Sequence, residues 1–231
     1  MKKLIPIFLA LILLGCGGKD YHYIPNPVDQ MIKSMKAERA YTIILDDMDV
    51  KNDEFYHQYS VIKESKSGEL SNSTTELLVV DYNFFKANEN NLGMQIATKD
   101  SMGKVSKVAA PAGYTNYVGN SRYGRWQGSG SSSFWVFYGQ YAFMRSMFGM
   151  GYYPCRYGMY NNYYSNYYGT NRAFYGSGSN GGSYYGTKSS GAKKSKANFF
   201  ERKARNNNWK SSRSSASSRR SGRGSGFGYG K

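Results

Sequence analysis

Ala40-Tyr41-Thr42-Ile43-Ile44-Leu45-Asp46-Asp47-Met48-Asp49-Val50, then Lys51-Asn52-Asp53-Glu54, then Phe55-Tyr56-His57-Gln58-Tyr59-Ser60-Val61-Ile62-Lys63: this stretch decides the fold. Its two arms are rich in β-branched and aromatic residues, which fit a pleated surface, and the polar tetrad between them carries turn chemistry. It predicts a β-hairpin. Downstream, residues 65–75 read as a polar loop. Glu76-Leu77-Leu78-Val79-Val80-Asp81-Tyr82 reads as a third strand or as the start of a helix reaching Ala87, with its length favouring the strand. Residues 94–99 and 104–109 flank Asp100-Ser101-Met102-Gly103 as a second hairpin. Upstream, Asn26-Pro27 has the form of an N-cap followed by a first-turn proline, and Val28, Met31, Ile32 and Met35 fall on one helical face. A helix over residues 27–38 is expected. The fold class is therefore α+β: a small antiparallel sheet with one N-terminal helix, over residues 26–126. Pro111-Ala112-Gly113-Tyr114 marks the end of its strands, and the run to Trp126 is expected to pack back as ordered loop.

The N-terminus has a different logic. Lys2 and Lys3 precede eleven mostly aliphatic residues, 4–14, and the run closes on Leu13-Leu14-Gly15-Cys16. A helix of that length covers only about half of a ~30 Å hydrocarbon core, so it reads as a secretory signal over residues 1–15 rather than a permanent span. These residues resemble the lipobox of bacterial lipoproteins. The resemblance covers about the first 20 residues and implies lipid transfer to the Cys16 thiol, cleavage after Gly15 and fatty acylation of the new amino terminus. Gly17 after the cysteine resembles outer-membrane sorting. Residues 16–25 then form a tether.

Charge divides the rest of the chain sharply. Residues 16–100 hold fourteen acids against nine Lys/Arg, net −5, whereas residues 101–231 hold only Glu201 against twenty Lys/Arg, net +19. Val, Leu and Ile are absent after Val136. Gly, Ser, Tyr and Asn crowd this half, which predicts a largely disordered Gly/Ser/Tyr/Arg-rich C-terminal half, because backbone ordering costs ~1–2 kcal/mol per residue. Residues 127–150 read as a Gly/Ser linker followed by an aromatic segment, 134–148. As a helix that segment serves as a membrane-interface contact or as a docking element of the α+β domain. Residues 151–231 read as a disordered Tyr/Gly-rich and basic tail. Its Lys193, Lys194, Lys196, Arg202, Lys203, Arg205, Arg219, Arg220 and Arg223 are the candidate polyanion contacts.

Catalytic constellations are scarce. His22 and His57 lack zinc-site spacing, and no serine elbow or phosphate loop occurs. No cofactor or resident metal is expected. Asp46, Asp47 and Asp49 near His57 would be needed for an envelope hydrolase; otherwise they form a solvated acidic edge or, with Asp53 and Glu54, a weak cation site. With Cys16 lipidated, Cys155 has no disulfide partner, and it reads either as a reactive thiol beside Arg156 or as a buried one. Basic residues interleaved with Tyr, Phe, Trp209 and Gly would suit single-stranded nucleic acid. An exported chain meets little of it. The expected function is thus a non-enzymatic, membrane-anchored envelope lipoprotein, with anionic lipids, envelope polysaccharide or an acidic protein as partner. A nucleic-acid-binding protein and a hydrolase centred on His57 are the alternatives.

Overall fold

A computed structural model describes residues 24–151, 154–177, 182–206 and 209. The signal segment, Cys16, and Arg219, Arg220 and Arg223 lie outside the described residues. Helix α1 (Pro27–Ser34) starts where the Asn-Pro pair places it: the Asn26 side chain accepts from the Val28 N–H at 2.9 Å and Pro27 occupies the first turn. It stops four residues earlier than the apolar periodicity suggests, and Met35 is buried just beyond it.

The hairpin forms from β1 (Ala40–Lys51) and β2 (Glu54–Glu64), turned by Asn52 and Asp53 at φ 49° and 62°. Asn and Asp tolerate this left-handed backbone better than other non-glycine residues, so the tetrad closes a tight turn. Residues 65–75 are not all loop: β3 (Leu70–Thr74) pairs with β2. The next segment satisfies both readings in succession, as strand β4 (Leu78–Val80) and helix α2 (Tyr82–Asn88), because Asp81 caps the helix by accepting from the Asn83 N–H at 2.8 Å. Strands β5 (Met94–Lys99), β6 (Val105–Ser106) and β7 (Ala110–Pro111) complete a seven-stranded antiparallel sheet, ordered β3-β2-β1-β5-β6, with β4 on β2 and β7 on β5.

Both faces of this sheet are covered. On one face, Tyr41, Ile43, Leu45, Tyr59 and Val61 pack with α1, α2, Phe199 and Trp209. A bulge between Leu45 and Asp47 resets the alternation, so that Met48 and Val50 return to the same face. On the other face, Ile44 and Ile62 meet a cluster built from Tyr114, Tyr117, Tyr123, Trp135, Phe148, Tyr163 and Phe174.

That second cluster corrects the expectation of disorder. The C-terminal half is structured to about residue 206, through β8 (Gly124–Gln127), β9 (Phe134–Phe137), α3 (Phe143–Met147), α4 (Tyr157–Asn166), α5 (Ser190–Ser195) and α6 (Ala197–Arg205). The physical reason is that Tyr, Phe and Trp replace the missing aliphatics. Each buries roughly 150–250 Å², worth about 4–6 kcal/mol gross at ~25 cal/mol/Å², enough to offset the backbone ordering of two to three residues. Residues 134–148 are not one helix but β9, a single 3₁₀ turn (Gly139–Tyr141) and α3, with Trp135, Met144 and Phe148 buried in the aromatic cluster.

Polar groups fasten this half to the sheet. Asn116 donates to the Tyr41 carbonyl at 3.1 Å and the Thr42 hydroxyl at 3.0 Å. The Phe174 N–H reaches the Ala109 carbonyl at 3.0 Å, and the Leu92 N–H donates to the Thr187 hydroxyl at 3.1 Å.

Candidate functional site

The opposite charges of the two halves meet at the β1 bulge. Lys196 Nζ lies 2.6 Å from the Asp46 carboxylate and Arg202 Nη2 lies 2.5 Å from Asp47. Asp49 is held by Lys51 at 3.4 Å and accepts from the Val50 N–H at 2.9 Å. The acidic edge is therefore strapped by α5 and α6 of the same chain. The strap is anchored by rings as well: Phe199 and Trp209 are buried against the first core.

Beside the strap is a groove of about 650 Å³, in the size range of small-molecule sites. Its walls are α3 with the turn that follows and α5; Asp46 and Ser60 on the sheet and Tyr114, Tyr185 and Cys155 also line it. Cys155 is held by backbone pairing on both sides, since the Trp135 N–H donates to its carbonyl at 2.8 Å and the Tyr157 N–H donates to the Ser133 carbonyl at 2.8 Å. Its thiol donates to the Tyr114 hydroxyl at 3.1 Å, which shares a 2.5 Å hydrogen bond with the Tyr185 hydroxyl. Burial pushes the thiol up to about 12, so it stays protonated at neutral pH and is the buried, not the reactive, form of this cysteine.

His57 sits on the first core's side. Its ring stacks on Phe85 at 5.2 Å and contacts Phe84 and Tyr59, and Nδ1 lies 3.0 Å from the Tyr59 hydroxyl. Nε2 has no hydrogen-bond partner among the described residues. Across the hairpin, its register partner is Met48, while Asp47 pairs with Gln58 and Asp49 with Tyr56. The structure does not bring the three aspartates and His57 together as a hydrogen-bonded set. Among the described residues, no three His, Cys, Asp or Glu side chains converge as metal ligands.

The candidate polyanion contacts divide. Lys196 and Arg202 are ion-paired internally, Lys203 lies over the Trp209 ring at 4.5 Å, and Arg205 faces Glu201 at 3.7 Å. Lys193 and Lys194 point outward from α5. The groove itself was missed in the sequence, because its residues come from six separate stretches between Asp46 and Lys196. No protein-family model, curated protein or solved structure matches this chain.

Burial holds the His57 imidazole down at about 3, against 6.5 for an exposed ring. An unfolded chain takes up this proton below about pH 6.5 and the folded chain only near pH 3, so stability falls progressively as pH drops between them. The loss is on the order of 4 kcal/mol. Urea unfolding at pH 7 and pH 4 should show a smaller acid loss in His57→Phe than in the parent; equal losses would contradict this burial.

Proposed function

We propose that this chain is a non-enzymatic lipoprotein of a bacterial envelope, attached through lipid on Cys16 and sorted to the outer membrane. Its basic C-terminal residues engage anionic lipids, envelope polysaccharide or an acidic protein. The observation that carries the reading is Leu13-Leu14-Gly15-Cys16 behind Lys2, Lys3 and the apolar run. More than one acyl chain on Cys16 would make attachment effectively permanent, whereas a single chain binds only marginally. Among the described residues no helix is long and apolar enough to cross a membrane. Polyanion contact falls to Lys193, Lys194 and the terminal residues 210–231, which add six Lys/Arg, Arg219, Arg220 and Arg223 among them, and no acid.

Metabolic labelling with a fatty-acid analogue tests the anchor. The parent chain should carry label and Cys16→Ala should carry none; label retained in Cys16→Ala would refute it.

The basic contact needs a cut that spares the fold. Removing residues 188–231 would strip Phe199 and Trp209 from the first core, so the informative truncation ends at Lys210. At ~1 kcal/mol per cation near an anionic surface, losing five cations should weaken binding to anionic vesicles by more than about tenfold at low salt. Equal binding by both chains, measured as Cys16→Ala forms by co-sedimentation, would refute the contact.

A further inference from the structure

We infer that the groove between α3 and α5 is a binding site for an organic anion carried on an apolar body. The groove's deepest lining is apolar or uncharged and buried: Tyr114, Phe148, Met150 and Cys155 are all less than a tenth exposed. Its charged lining is Asp46, Lys196 and Arg145, and these sit nearer solvent. Asp46 and Lys196 neutralise each other at 2.6 Å. Arg145, exposed on α3, has no carboxylate partner among the described residues. The net charge left to a ligand is therefore positive and sits at the mouth, above an aromatic floor.

That layout selects among ligand classes. A cation would be repelled at Arg145, and a neutral ligand would gain from the floor alone. An anion gains a charge-assisted contact from the guanidinium, whose planar fork suits carboxylate, sulfonate or phosphate oxygens, while its apolar portion covers Phe148, Met150 and the Tyr114–Tyr185 pair. Ser146, on the same helix as Arg145, supplies a hydroxyl for a remaining anion oxygen, while the Ser195 hydroxyl on the facing helix is spent on the Gly191 carbonyl at 2.9 Å. The site stands on the groove and not on lipid at Cys16, so an unlabelled Cys16 would leave it intact.

Two fluorescent probes with the same rings separate the charge from the floor: anilinonaphthalene sulfonate, and phenylnaphthylamine, which lacks the sulfonate. The full chain, as Cys16→Ala, should bind the sulfonate probe more tightly. Arg145→Gln should weaken the sulfonate probe by about tenfold or more, the worth of one hydrogen bond to a charged group, and leave the neutral probe unchanged. Lys66→Gln removes an exposed charge between β2 and β3 that does not line the groove and should change neither affinity. Gly151→Trp fills the groove from a position where an added Cβ meets nothing within 4 Å, and it should abolish binding of both probes with near-ultraviolet circular dichroism retained. Competition by decanoate or by naphthalene sulfonate then distinguishes an acyl from an aromatic body. Equal affinity for the two probes, or sulfonate binding untouched by both Arg145→Gln and Gly151→Trp, would overturn the assignment.

Discussion

Strand β1 is buried on both faces, and every other part of the molecule follows from covering it. Ala40 through Leu45 are all inaccessible, so Ile43 and Leu45 need a layer on one side while Ile44 needs another on the opposite side. A single short helix, α1, cannot supply two layers. The chain solves this by recruiting its C-terminal half twice: residues 109–186 for the aromatic layer, and Phe199 with Trp209 to finish the first core. The apparent linker and the described part of the tail are thus the other half of one packed unit.

The hairpin was legible because its residue types, turn tetrad and α1 cap all agree locally. The aromatic layer was not, because no periodicity announces it: its rings stand on loops, short strands and one-turn helices. Two signals were present. The unbroken buried run Ala40–Leu45 has the composition of a strand covered on both sides, and 28 of the chain's aromatic residues lie after residue 100. The absence of Val, Leu and Ile after Val136 masks the second signal. The cysteine could be read either way from Pro154-Cys155-Arg156 alone; only the backbone pairing to β9 places it inside.

Charge segregation has a structural use as well. The acidic β1 bulge and the basic α5–α6 strap join through Asp46–Lys196 and Asp47–Arg202, partly exposed pairs worth about 1 kcal/mol or less apiece. Such pairs orient the strap more than they hold it, since Phe199 and Trp209 bury far more surface. One consequence is the groove, because α5, fixed by Lys196, becomes the wall that faces α3. A feature that looked like surplus basic charge in the sequence is partly the means of shaping a site.

Native-state amide hydrogen exchange tests the two-sided burial most directly. The N–H groups of Tyr117, Trp135 and Phe174, bonded to the carbonyls of Gly113, Cys155 and Ala109, report on the aromatic layer, and those of the facing pair Thr42 and Ile62 report on the hairpin. A single packed unit predicts protection of both sets, lost together when Trp135→Ala removes a central ring. Exchange of the first set at the rate of an unstructured peptide, with the hairpin still protected, would contradict it.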